Sequence, residues 1–151
     1  MKTPVIVTTS RIILGSLFTL AGLSGFIFAF VGKLPPVAGL AGQFQTVFFA
    51  SHWVLYVDAV EAVAGILLLS NRYNILALTM LGAVLSNILV FHVTMQPAGI
   101  VPGVIATGLW FVLFRHYRAS FAPLFVKKQD ASPAAAPALT LVTNAKRALA
   151  S

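Results

Sequence analysis

Cysteine is absent from the 151 residues, and charged residues are scarce. Without a thiol the chain can form no disulfide, thiolate metal site or iron–sulfur cluster, so any redox role would need a bound cofactor. Charged residues make up 9% of the chain, against about 25% in a typical soluble domain. Water-soluble folds are therefore a poor fit.

Apolar residues dominate the sequence: 59% are hydrophobic, and the mean hydropathy is +0.95. The formal net charge of +7 does not indicate a nucleic-acid surface, because the basic residues stand at the ends of apolar runs and not in a dense patch on a polar domain. This arrangement is typical of an integral membrane protein, which contacts membrane lipids.

Four apolar runs are long enough to be membrane helices, which need about 20 residues each. The predicted spans are residues 5–31, 52–70, 75–95 and 100–117. Residues 37–51 contain too many glycines and glutamines for a clean span, so an interfacial or re-entrant segment is predicted there. The predicted fold is an all-α membrane protein, a four-transmembrane-helix antiparallel bundle with a short interfacial segment between helices 1 and 2.

Lysine and arginine fall almost entirely on one side of this topology, where we count Lys2, Arg11, Arg72, Arg115, Arg118, Lys127, Lys128, Lys146 and Arg147. The other side receives only Lys33. The positive-inside rule places the first set, and with it both termini, in the cytoplasm. Residues 1–125 form the predicted transmembrane domain, and 126–151, rich in alanine and proline, a disordered cytoplasmic tail.

Small residues recur at spacings that let helices pack closely in lipid, and we interpret them as packing positions. They are Ala21, Gly25 and Ala29 in the first span, Gly82 and Ser86 in the third, and Gly99, Gly103 and Thr107 in the fourth.

Two acidic residues lie inside the second span and give the strongest functional signal. An acidic side chain at the centre of a span costs about 2.5–3.5 kcal/mol on insertion scales. Glu61 lies near the middle of the span, and Asp58 lies one turn earlier on the same face. Two such carboxyl groups cannot both ionise cheaply at low dielectric unless a cation is close. Arg11 in the first span is a candidate ion partner for Glu61.

Other polar residues are expected at similar depths. Asn87 should lie at the depth of Asp58, and His92 at the depth of His52, at the outer end of the second span. Each residue alone has a structural explanation, such as an interhelical hydrogen bond. Together they predict a polar intramembrane cluster of Arg11, His52, Asp58, Glu61, Asn87 and His92. A metal or haem site stays open, although the spacing matches no specific motif for either.

The chain resembles the DoxX-like family of small membrane proteins over about residues 10–125. The pieces that carry the resemblance are Arg11-Ile-Ile-Leu-Gly15, Ala21-Gly22-Leu23, the segment from Val60-Glu61 to Arg72-Tyr73, Asn87-Ile-Leu-Val-Phe91-His92, Pro97-Ala-Gly99 and Tyr117-Arg118-Ala-Ser-Phe121. The resemblance implies a four-helix membrane bundle, and founding members are described as small subunits of quinone-linked oxidases or thiosulfate-oxidising complexes. Relatives carry a basic residue one turn before the glutamate, where this chain has Asp58.

Three functions stay open at this point, because no catalytic motif is present. The first is an accessory subunit of a redox or respiratory assembly, binding quinone or lipid in an intramembrane pocket. Such a subunit would work with other membrane subunits or as a homo-oligomer, in the plasma (inner) membrane of a bacterium or archaeon. The second is a small proton-coupled carrier that uses Asp58 and Glu61. The third is a membrane oxidoreductase with a metal or quinone at the polar cluster.

Overall fold

The computed structural model describes residues 3–32 and 36–125, and within these ranges it contains five α-helices and no strand. The helices are α1 (Val5–Val31), α2 (Gly39–Ala50), α3 (Trp53–Leu69), α4 (Asn74–Thr94) and α5 (Ile100–Phe121), with 3₁₀ turns at Pro97–Gly99 and Ala122–Phe125. The segment predicted as a disordered tail, residues 126–151, lies outside the described residues, as does Lys33.

The predicted all-α membrane fold is confirmed. Three segments are long and apolar enough to cross a membrane: Val5–Val31, Asn74–Thr94 and Pro97–Phe125. A fourth crossing exists if α2 and α3 are counted as one span that bends by 87° between Ala50 and Trp53. The interfacial segment predicted between the first two spans is therefore a helix of 12 residues, α2.

The C-terminal end of α1 is set by the backbone conformation of Gly32. Gly32 adopts the left-handed backbone conformation (φ 67°), which glycine reaches without the penalty of a Cβ atom, and its N–H donates to Phe28 O at 2.9 Å. The helix spans 27 residues, about 40 Å at 1.5 Å per residue. It is thus longer than the apolar core of a bilayer, about 30 Å.

Helix α1 packs antiparallel against α3 along a seam of small residues. A Cβ atom added at Gly22 would lie 2.7 Å from Ala62 N, and one added at Gly15 would lie 3.1 Å from Gly65 O. The two backbones therefore approach more closely than side chains would allow. Among the positions predicted for packing, Gly25 lies in this seam, against Asp58.

Helix α4 follows α3 through a tight turn and packs antiparallel against α5. Near one end of α4, Asn74 Nδ2 donates to the Tyr117 hydroxyl at 2.9 Å. Further along, Trp110 Nε1 donates to Leu78 O at 2.8 Å, and its ring lies against Gly82. Gly103 lies against Ile88.

These antiparallel pairs define two ends of the bundle. The Arg11 end holds the start of α1, the end of α3 and the start of α4. The α2 end holds α2 itself, the start of α3 and the end of α4. The described residues up to 120 form one compact unit, and Phe121 with the turn Ala122–Phe125 belongs to a second unit.

Candidate ligand pocket

A cavity of about 820 Å³ lies between α2, α3 and α4, at the α2 end of the bundle. Its polar lining residues are Gln45, Asp58, Glu61, Asn87, His92 and Gln96. The rest of its wall is made of aliphatic and aromatic side chains. This volume is within the range of ligand pockets, about 300–1,000 Å³, and the mixture of apolar wall and few polar groups is typical of them.

Five aromatic rings line the pocket, and they form two groups. Phe44 of α2 stacks on Phe48 at 5.3 Å and meets Phe91 of α4 at 5.4 Å between ring centroids. At the start of α3, Trp53 and Tyr56 lie 6.0 Å apart. The Phe44–Phe91 contact joins α2 to α4, so α2 closes one side of the pocket.

Asp58 and Glu61 are buried, with exposed fractions of 7% and 9%. The carboxyl group of Asp58 lies against Gly25 of α1, and its Oδ2 atom has no hydrogen-bond partner. Within the described residues, no hydrogen bond or ion pair joins either carboxyl group to another residue. Buried polar groups are normally satisfied, so the unpartnered Oδ2 atom indicates a place where a proton or a hydrogen-bond donor belongs.

Arg11 does not pair with Glu61, contrary to one sequence expectation. Its Nη1 donates instead to Leu68 O at 2.6 Å and to Leu69 O at 3.2 Å. These carbonyls belong to the last turn of α3, which carries the negative end of the helix dipole. Leu68 O also accepts from Asn71 N at 3.1 Å. The antiparallel packing of α1 and α3 brings Arg11 to that end, about 10 Å along α3 from Glu61.

Asn87 and His92 line the pocket from α4, and each also bonds to a nearby backbone carbonyl, Asn87 within α4 and His92 just beyond its end. Asn87 Nδ2 donates to Ala83 O at 2.9 Å. His92 Nδ1 lies 3.0 Å from Gln96 O, and since a carbonyl oxygen can only accept, Nδ1 carries the proton. In the neutral ring Nε2 is then an unprotonated acceptor.

His52 occupies the bend between α2 and α3 and is not among the residues that line the pocket. Its backbone is left-handed (φ 60°), and its side chain is exposed. The structure therefore brings together four of the six residues proposed as a cluster, Asp58, Glu61, Asn87 and His92, and places Arg11 and His52 elsewhere.

Helix α2 contributes pocket residues that the sequence reasoning missed. Ala41, Phe44, Gln45 and Phe48 all face the cavity, at the i, i+3, i+4, i+7 spacing of one helix face. That spacing was readable in the sequence.

Among the described residues, no group of three or more His, Asp or Glu side chains is close enough to hold a metal ion. Comparison of the chain with protein-family models, curated proteins and solved structures found no match.

Proposed function

We propose that this protein is an accessory subunit of a redox or respiratory membrane assembly, and that the pocket between α2, α3 and α4 binds the polar head of a membrane-dissolved amphiphile, a quinone or a lipid. In this proposal the chain is a DoxX-like protein of the bacterial or archaeal plasma membrane with both termini in the cytoplasm. It acts beside other membrane subunits or as a homo-oligomer.

The observation that carries the proposal is the pocket itself. Asp58, Glu61, Asn87 and His92 meet at one cavity, together with Gln45 and Gln96, and the remaining wall is aromatic and aliphatic. An amphiphile has the matching chemistry, because its head can bond to these polar groups while its tail stays among the apolar ones. The resemblance to DoxX-like proteins supports a quinone-linked setting.

A second candidate is a proton-coupled carrier that uses Asp58 and Glu61. The observation in its favour is that neither carboxyl group has a cationic partner within the described residues. Buried carboxyl groups of this kind mark proton pathways in many pumps and transporters.

The decisive experiment is a gentle purification from native membrane, followed by identification of every bound protein, quinone and lipid. Ala83, exposed on the pocket wall, is changed to phenylalanine to fill the cavity. Ala119, exposed on α5 and absent from the pocket lining, is changed to phenylalanine as a control. We expect a stoichiometric amphiphile with wild type and with Ala119→Phe, and its loss with Ala83→Phe. Equal retention in both variants would contradict the pocket as its binding site.

A further inference from the structure

The charge of the pocket is unbalanced. Asp58 and Glu61 are both among the residues that line it, and no lysine or arginine is among them in the described part of the chain. Arg11, a cation that could have offset these two charges, donates instead to the Leu68 carbonyl at the end of α3. An uncompensated negative charge at low dielectric is costly, so a ligand that brings a positive charge would be strongly favoured there.

The other polar groups also offer hydrogen-bond acceptors. The bond from His92 Nδ1 to Gln96 O leaves Nε2 as an acceptor, and the bond from Asn87 Nδ2 to Ala83 O leaves the Asn87 carbonyl oxygen without a donor. Asp58 Oδ2 is buried against Gly25 and accepts no hydrogen bond from the described residues. The head group that would satisfy this set is one that carries positive charge or several donors.

The aromatic wall points to the same class of ligand. The negative faces of aromatic rings attract organic cations, and more strongly when the cation is desolvated. Phe44, Phe48, Trp53, Tyr56 and Phe91 all line this pocket. A pocket lined by two acidic residues and five such rings suits a cation that also has a large apolar surface.

We propose that the pocket selects amphiphilic organic cations, such as amines with an apolar tail, over neutral and anionic amphiphiles, with Asp58 and Glu61 as the counter-charges. This inference rests on the proposed function, since it takes the pocket to be a ligand site and adds which class of amphiphile it prefers.

The test compares two probes of the same shape and opposite charge, tetraphenylphosphonium and tetraphenylborate. Their binding to the full-length protein in a nonionic detergent is measured by calorimetry, beside a neutral short-tailed quinone. We expect tetraphenylphosphonium to bind at least about tenfold more tightly than tetraphenylborate, given an effective dielectric constant near 20. The double variant Asp58→Asn and Glu61→Gln should lose that preference, so that the two tetraphenyl probes bind with affinities within about threefold of each other.

The matched control is Asp130→Asn, which removes the third acidic residue of the chain and should leave both affinities unchanged. If the double variant does not fold, Trp53→Leu replaces it. Trp53 is 61% exposed, so Trp53→Leu should still fold. The missing ring should lower the affinity for tetraphenylphosphonium by about threefold or more. Tyr73→Leu, which removes an exposed ring that does not line the pocket, is its control and should have no effect.

The outcomes separate the two proposals. Equal binding of the two tetraphenyl probes, or cation binding that survives both the double variant and Trp53→Leu, overturns the cation preference. If the neutral quinone still binds and Ala83→Phe still abolishes its binding, the proposed function stands without that preference. If wild type binds none of the three probes, both proposals fail.

Discussion

At Gly22 the backbones of α1 and α3 meet so closely that one methyl group has no room. A Cβ atom there would lie 2.7 Å from Ala62 N and 3.0 Å from Ala62 Cβ, and backbone atoms cannot move aside as a flexible side chain can. We expect Gly22→Ala to destabilise the protein by about 1–3 kcal/mol, the usual cost of overpacking. Unfolding by denaturing detergent, followed by circular dichroism, measures the change.

Gly108 is the matched control, since an added Cβ atom there meets nothing within 4 Å. In a helix without steric conflict, alanine is more stable than glycine by up to about 1 kcal/mol. Gly108→Ala should therefore leave stability unchanged or raise it. Equal losses in the two variants would mean that helix packing is not what Gly22 serves.

Arg11 and Glu61 are expected to act independently. Arg11→Leu removes two charge-assisted bonds to the carbonyls of Leu68 and Leu69 and should cost about 1.5–3 kcal/mol. Glu61→Gln keeps the size of the side chain and breaks no hydrogen bond or ion pair within the described residues, so its effect should be small. A double-mutant cycle should give a coupling energy below about 0.5 kcal/mol, as for separated sites. A coupling energy of several kcal/mol would show instead that Arg11 and Glu61 form an ion pair.

The depth of the polar residues could be predicted from the sequence, but the direction of their side chains could not. Depth follows from the rise per residue, which brought Asp58, Glu61, Asn87 and His92 to similar levels. Direction depends on which neighbour each helix face meets. Arg11 shows the difference, because the sequence made Glu61 a candidate partner, whereas in the structure its guanidinium bonds to the carbonyls of Leu68 and Leu69.

Among the elements, the α2–α3 pair is distinguished by its bend of 87°. His52 occupies the bend with φ of 60°, a conformation that costs a residue with a Cβ atom about 1–3 kcal/mol and that glycine adopts freely. We expect His52→Gly to keep or raise stability, and His52→Val, which is β-branched, to lower it by about 1–3 kcal/mol.

The same pair of variants tests whether His52 belongs to the ligand site. Because His52 does not line the pocket, His52→Gly should bind any pocket ligand as wild type does. A loss of binding in a stable His52→Gly protein would show that the imidazole itself takes part.

The bounds of α1 were predicted correctly because a proline precedes it and glycine followed by prolines ends it. Helix α2 was anticipated only as an interfacial segment. The glycines and glutamines of α2 lower its mean hydropathy. The face of α2 that lines the pocket depends on the spacing of its residues along the helix and not on their average composition. Composition could therefore reveal the segment but not its role as a wall.

For the whole molecule, the orientation in the membrane is open to direct test, and the lack of cysteine makes labelling free of background. From the distribution of lysine and arginine we expect Gln96→Cys to react with a membrane-impermeant maleimide on intact cells. Arg72→Cys should react only after the membrane is opened. Labelling of Arg72→Cys in intact cells would reverse the topology.

The seam of small residues also decides which parts of the bundle can move. Sliding α1 past α3 by even one residue would press a larger side chain into the space that Gly22 and Gly65 leave open, so this pair should behave as one rigid body. Adjustment to a ligand must then come from α2 and α4, which meet through the rings of Phe44 and Phe91.

Spin labels can distinguish the rigid pair from the adaptable one. Labels at the exposed positions Leu20 and Val63, on α1 and α3, should keep the same distance distribution when tetraphenylphosphonium is added. Labels at Val47 and Val90, on α2 and α4, should show a shifted or narrowed distribution. A shift in the distance between the labels at Leu20 and Val63 would mean that α1 and α3 move relative to each other. If that distance is unchanged, α1 and α3 form a rigid part of the protein that carries Asp58 and Glu61. Helices α2 and α4 then form the part that adjusts to the bound ligand.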